Sequence, residues 1–309
     1  MQIWIGNTEN FRGSGPDPDG HIRRTPVMVL DIPGLGHPIE IKLEHMQHTG
    51  TFKARGAFNS LIAGPVPAGG IVAASGGNHG AAVAYAAARL GIRAHVFVPE
   101  IAGPSKIALI QRAGAELSVV PGAYADALEA ALDYEARHGA MQVHAYDGVG
   151  TVAGQGTCLR EWEEQGLEAD TVLIAVGGGG LIAGSLAWLG ARRKVVAVEP
   201  VTSCALNAAL AAGEPVDVDV SGIAANSLGA RRIGAICFEL AQGLKTPSVL
   251  VSDAAIAEAQ RFLWHSARIL VEPAGATALA AVMSGAYVPE PGERIAVLLC
   301  GANVVPEPV

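Results

Sequence analysis

Aromatic side chains make up only 5% of this 309-residue chain, and charged ones only 16%. So little charge beside 50% hydrophobic residues excludes a disordered polymer and calls for a large buried interior. With few rings available, that interior must be built from aliphatics, alanine and the 39 glycines, which favours helices packed closely on sheets. An excess of basic charge is also missing. The net charge of −8 argues against a nucleic-acid partner. The four cysteines, Cys158, Cys204, Cys237 and Cys300, show no CxxC spacing, so neither a zinc site nor a disulfide framework is indicated. Apolar runs such as Ile71–Ala74 are strand-length, far short of the roughly 20 residues that cross a bilayer. Met1–Phe11 lacks the basic start and apolar core of a secretory signal, and the chain has no internal repeat. The expectation is a soluble cytoplasmic protein with no membrane partner.

What is present is an alternation of short β-rich runs with helical stretches. Gly13–Gly20 reads as a loop, Ile39–Leu43 as a strand and Phe52–Ile62 as a helix. Strands are expected at Ile71–Ala74, Ala94–Val98 and Glu116–Val120, with helices at Asn78–Leu90, Pro104–Ala113 and Tyr124–Arg137. Later come strands at Val172–Val176, Lys194–Val198 and Ile295–Leu299, with helices at Leu181–Leu189, Cys204–Ala212 and Ala254–Ile269. Such alternation predicts an α/β fold with mainly parallel sheets. Ligands then bind beyond the carboxyl ends of the strands.

Four motifs sit at such ends. Lys53 lies among small and apolar residues in Thr49-Gly50-Thr51-Phe52-Lys53-Ala54-Arg55-Gly56-Ala57. An amine there is either a snorkelling surface lysine or a desolvated nucleophile able to form a Schiff base. Ser75-Gly76-Gly77-Asn78-His79-Gly80 links a strand to a helix, and is either an ordinary N-capped turn or a nest for an anion. Gly177-Gly178-Gly179-Gly180-Leu181 follows another apolar strand. Its amides suit a phosphate, while close helix–strand packing would equally call for glycine. Cys300 ends the last strand, as a buried hydrophobe or as a weak hydrogen-bonding partner.

Taken together, these motifs resemble the fold-type II pyridoxal-phosphate enzymes, the tryptophan synthase β-subunit-like family, over Thr25-Pro26 to Asn303. The dehydratase and serine racemase branch shares Lys42-Leu43-Glu44, Val152-Ala153-Gly154-Gln155-Gly156-Thr157 and Glu272-Pro273-Ala274-Gly275-Ala276. The resemblance implies two lobes, each with a mainly parallel sheet flanked by helices: residues 1–65 with 147–309 for the cofactor, and 66–146 for the substrate. It implies that Lys53 binds pyridoxal 5'-phosphate as a Schiff base and then moves the Cα proton. Gly177, Gly178, Gly179, Gly180 and Leu181 would hold the phosphate, Asn78 the ring hydroxyl oxygen, Phe52 the ring side and Cys300 the pyridine nitrogen. Ser75, Gly76, Gly77 and His79 would shape the substrate carboxylate pocket. The implied reaction is dehydration of L-threonine or L-serine to a 2-oxo acid and ammonia, by a homodimer acting on a small amino acid. The alternatives are another β-eliminase or β-replacement enzyme, such as a 3-hydroxyaspartate dehydratase or a cysteine synthase-like protein, or a catalytically silent cofactor-binding module.

Some positions depart from the racemase pattern. Gly76 stands where racemases carry a serine, so elimination is expected over racemisation, and Gly76→Ser is expected to raise racemisation. Glu199 lacks a second carboxylate nearby, so no metal is expected and local capping is the alternative. Ala125 replaces an arginine, which weakens the case for a dicarboxylate substrate, and Tyr124 could line or gate the pocket. The segment Ser221–Arg232 is expected to reach towards the cofactor, with Arg231 and Arg232 facing solvent or an interface. With Val309 so soon after Cys300, no C-terminal regulatory domain is expected.

Overall fold

The computed structural model describes residues 20–102, 104–122 and 124–304. The loop reading of Gly13–Gly20 therefore falls, except for Gly20, outside the described residues. Ten strands among the described residues form two sheets. The larger runs in the order β1 (Val27–Leu30), β2 (Ile39–Lys42), β10 (Ile295–Leu298), β7 (Thr171–Ala175), β8 (Lys194–Pro200) and β9 (Ser248–Val251). Only its edge pair β1–β2 is antiparallel. The smaller sheet, β5 (Glu116–Val120), β4 (Ala94–Pro99), β3 (Ile71–Ala74) and β6 (Met141–Gln142), is wholly parallel. Every residue of β3, β7 and β10 is buried, as expected of strands covered on both faces.

Helices make the crossovers. From the large sheet, α1 (Lys53–Ile62) leads to the small one, where α2 (Asn78–Leu90), α3 (Pro104–Arg112) and α4 (Tyr124–His138) follow β3, β4 and β5. The return runs through α5 (Val149–Glu164) to β7, and α6 (Gly180–Leu189) and α7 (Ala205–Ala212) follow β7 and β8. Then α8 (Ala225–Leu228) and α9 (Ala235–Gly243) precede β9, while α10 (Asp253–Ala267) and α11 (Pro273–Met283) lead to β10. Strand β3, helix α2 and strand β5 have the bounds expected from sequence.

Helix α5 is one that periodicity did not predict. Glycines 150, 154 and 156 give it low intrinsic helicity, each costing about 1 kcal/mol against alanine. Tertiary packing explains them. A Cβ on Gly154 would lie 2.5 Å from the Arg55 carbonyl oxygen, and one on Gly156 would lie 2.8 Å from that of Gly184. The glycines let α5 nest between α1 and α6, and only a helix so placed can return the chain to β7.

Behind α1 lies a buried charge cluster. Arg55 grips Glu44 with two bonds of 2.7 Å, Nε to Oε2 and Nη2 to Oε1. Its Nη2 also lies 2.9 Å from Glu161 Oε2, and Lys42 Nζ lies 2.5 Å from Glu161 Oε1. Lys42 also donates to the Thr25 carbonyl at 2.8 Å and to Gln165 Oε1 at 2.6 Å. Two cations meet two carboxylates, with neighbouring polar atoms taking up further donors. The cluster ties β2, α1 and α5 together and accounts physically for Lys42-Leu43-Glu44 and for Arg55.

Candidate active site

Lys53 is the first residue of α1, and its Nζ turns inward to donate to the Ala145 carbonyl at 2.7 Å. Burial lowers its pKa to about 8, against the opposing pull of Cys300 and Glu272. A substantial neutral fraction at mildly alkaline pH makes it a nucleophile. The chain before Lys53 is fastened to the end of β10: Thr51 bridges Gly301, the Phe52 amide donates to the Cys300 carbonyl at 3.1 Å, and the Ala302 amide donates to Gly50 at 2.9 Å. Cys300 therefore lines the same cavity as Lys53 and Phe52. Burial, reinforced by the Glu272 charge, pushes its thiol pKa well up, so the group is neutral at physiological pH.

The glycine loop lines the same cavity. Gly177, Gly178, Gly179, Gly180 and Leu181 all border this cavity, where β7 passes into α6. First-turn amides of a helix have no partner within it, and the first turn of α6 begins here. Both expected reasons for glycine hold here. A Cβ on Gly178 would lie 2.3 Å from the Tyr146 ring, and Gly179, at φ +92°, would bring one within 2.5 Å of Cys237 Sγ. Close packing thus requires the glycines at 178 and 179, and a turn without side chains also leaves its backbone open to a ligand.

Asn78 opens α2 and reaches the cavity lining, where its Nδ2 donates to Glu272 Oε1 at 2.6 Å. Ser75, Gly76, Gly77 and His79 flank it on the same turn but do not line this cavity. The Ser75 hydroxyl accepts the Gly77 amide at 3.2 Å. His79 Nε2 donates to the Val143 carbonyl at 2.8 Å, which leaves Nδ1 as the lone-pair nitrogen. Burial, with the Lys53 charge nearby, drops the ring's pKa to about 3. A neutral ring in this tautomer has no donor for a carboxylate, so only the backbone of His79 can serve an anion.

Gly76 corrects an expectation. Its Cβ would lie 2.3 Å from Ala102 Cβ and 3.2 Å from Val98 Cγ1, so a side chain there points at the end of β4. A serine at 76 does not fit without moving that segment, and Gly76→Ser is no simple route to racemisation. Glu199 is engaged as a cap: its two oxygens accept the Leu206 and Asn207 amides of α7, each at 2.8 Å. Burial raises its pKa to about 7. Among the described residues no group of three or more His, Cys, Asp or Glu side chains could hold a metal ion.

The Ser221–Arg232 segment supplies Ser227 and Leu228 to the cavity wall, while Arg232 pairs with Asp217 on the surface at 3.0 Å. Tyr124 is 40% exposed and lies outside the cavity lining. Tyr146 and Glu272 line the cavity, although sequence reasoning assigned neither. Glu272 stood within a quoted motif, and that was its only signal. Next to Tyr146, Asp147 caps α9 from a distance by accepting the Ala235 and Ile236 amides, each at 3.0 Å.

A cavity lined by a reactive amine and by a four-glycine turn at a helix start suits a small molecule bearing both a carbonyl and a phosphate. Parallel-sheet enzymes that capture such a cofactor at their strand ends are the class to which this fold and site point. The chain belongs to the pyridoxal-phosphate dependent enzyme family, which matches residues 19–301. It is 37% identical to the phenylserine dehydratase of Ralstonia pickettii, the match covering 91% of this chain and 88% of that one. It is 34% identical to the L-threonine ammonia-lyase of Thermotoga maritima, over 87% of this chain and 68% of that one. The serine racemase of maize superposes with a TM-score of 0.89 at 29% identity, over 98% of this chain and 94% of that one. These are fold-type II enzymes, and pyridoxal phosphate is the cofactor of this family.

Proposed function

We propose that this enzyme is a threonine or serine ammonia-lyase, which eliminates water from a β-hydroxy amino acid to give a 2-oxo acid and ammonia. The observation that carries this reading is that Lys53 and the neutral Cys300 thiol line one cavity. When bound, pyridoxal phosphate supplies an electron sink that acidifies the substrate's Cα–H bond. Lys53 Nζ would hold the cofactor and would take the substrate's Cα proton. The amides of Gly177, Gly178, Gly179, Gly180 and Leu181 would hold the phosphate, Asn78 would donate to the ring hydroxyl oxygen, and Phe52 would pack beside the ring. Cys300 would be a weak partner for the pyridine nitrogen and would leave it without a formal charge, which would favour loss of the β-hydroxyl over transamination. The Ser75-Gly76-Gly77-Asn78-His79 turn would serve the substrate carboxylate through the amides of Gly76 and His79, because those of Ser75 and Gly77 already donate to the Phe97 carbonyl and the Ser75 hydroxyl. Glycine at 76 has no proton to deliver, so Lys53 works as a lone base.

The lobes in this reading are 1–65 with 147–309, and 66–146. Strands β3 to β6 all lie between residues 71 and 142 and pair only with one another among the described residues, which supports the division. We place the enzyme in the cytoplasm, a reading consistent with four unpaired cysteines, and as a homodimer, which light scattering would read.

The test is direct. Purified protein with added pyridoxal phosphate should show a visible band that Lys53→Ala lacks, and should release 2-oxo acid from threonine, serine or 3-phenylserine. A silent binding module would show the cofactor without turnover, and a β-replacement enzyme would need a second nucleophile. Absence of any visible band in the wild type would overturn the reading.

A further inference from the structure

Glu272 occupies the N-cap of α11, with Pro273 as the first helical residue. Side chains there usually turn back to accept a helix amide, but Glu272 makes no such bond. Instead its Oε1 accepts from Asn78 Nδ2 at 2.6 Å, across 194 residues of sequence. Asn78 Oδ1 in turn accepts from Asn303 Nδ2 at 2.8 Å, and Asn303 Nδ2 also donates to the Thr49 carbonyl at 2.9 Å.

Chemistry fixes the direction of every link. A carboxylate and a peptide carbonyl only accept hydrogen bonds, so the relay begins and ends on acceptors. Asn303 must present its amide nitrogen to Thr49 and Asn78, and Asn78 must present its own to Glu272. One hydrogen on Asn78 Nδ2 is left over, on a residue that lines the cavity. The surrounding glycines keep this relay clear. A Cβ on Gly301 would fall 2.1 Å from Glu272 Oε1, and one on Gly50 would fall 2.7 Å from Asn303 Oδ1.

We infer that Glu272 and Asn303 are positioning residues, which lock the Asn78 amide with its one remaining N–H aimed at the ring hydroxyl oxygen of the bound cofactor. This rests on the proposed role of Asn78. It also gives a role to Glu272-Pro273 and Gly301-Ala302-Asn303, segments that the reaction itself leaves unassigned. Glu272 has a second consequence. Its negative charge lies close enough to Lys53 to favour the protonated form of that nitrogen.

The experiment is a double-mutant cycle on the holoenzyme, read by pyridoxal-phosphate affinity and by the pH at which the visible band titrates. Asn303→Ala should weaken cofactor binding about 3- to 10-fold, the worth of one hydrogen bond. Asn78→Ala should weaken it similarly, and the Asn78→Ala/Asn303→Ala double variant no further than Asn78→Ala alone. Glu272→Gln keeps an acceptor for Asn78 but removes the charge, so affinity should hold within about 3-fold while the band titrates at lower pH. Additive losses in the double variant, or a Glu272→Gln band that titrates as in the wild type, would overturn the inference. A wild type with no visible band would instead sink the cofactor reading beneath it, so the two failures are distinct.

Discussion

The two sides of α1 differ sharply. Behind it, Arg55 and Lys42 are fully buried against Glu44 and Glu161, charge matched to charge. In front, two residues earlier, Lys53 donates to a peptide carbonyl at 2.7 Å, lies 5.2 Å from the centre of the Phe52 ring and carries a depressed pKa. The rear cluster spends its charges on one another. The front leaves a donor and a nucleophile for something that is not protein. Full mutual pairing marks a structural ionic group, and a lowered amine pKa with incomplete charge pairing marks a working one.

Breaking this comparison should give opposite losses. Arg55→Met leaves the buried Glu44 without its cation, while Glu161 keeps Lys42, and is expected to cost about 3–5 kcal/mol, measurable by denaturant unfolding. Lys53→Met should abolish turnover while leaving stability within about 1 kcal/mol, because no buried ion loses a partner. Equal destabilisation by both would show that the front is as structural as the rear.

A pH series sharpens the same contrast. Below about 8 the Lys53 amine is largely protonated and unreactive, and above it largely neutral. The rate at which apoprotein develops the visible band should therefore climb through pH 8 and then level off. An ordinary surface lysine would keep climbing towards 10.

The smallest expected effect lies away from both regions. Glu199 has its folded pKa raised to about 7 from 4.5, so its contribution is fully present below 4.5 and is lost as pH rises through 7. Glu199→Gln does not titrate. Relative to wild type it should gain about 2–3 kcal/mol between pH 5 and 8 in melts, and a constant difference would refute the assignment.

Much of the site was legible because its chemistry is local. Strand, glycine turn and helix follow one another at Ala74–Asn78 and at Ala175–Leu181, so a short window shows both the nest and the strand that aims it. Lys53 was legible as an isolated amine among small residues. Helix α5 was not, because its glycines lower helicity and pay off only against α1 and α6. The tautomer of His79 was also hidden, since the Val143 carbonyl that sets it lies 64 residues away.

By itself the sequence determined an α/β chain of parallel sheets with a reactive lysine, an amide nest and a thiol at strand ends, since each is written in contiguous residues. Only the tertiary structure decided that Gly76 faces β4, that Glu199 caps a helix, and that Glu272 and Asn303 grip Asn78. Those outcomes depend on contacts between residues far apart in the chain, up to 254 positions for Asn303 and Thr49. Hydrogen-bond direction and available space exist only once the two sheets have been brought together.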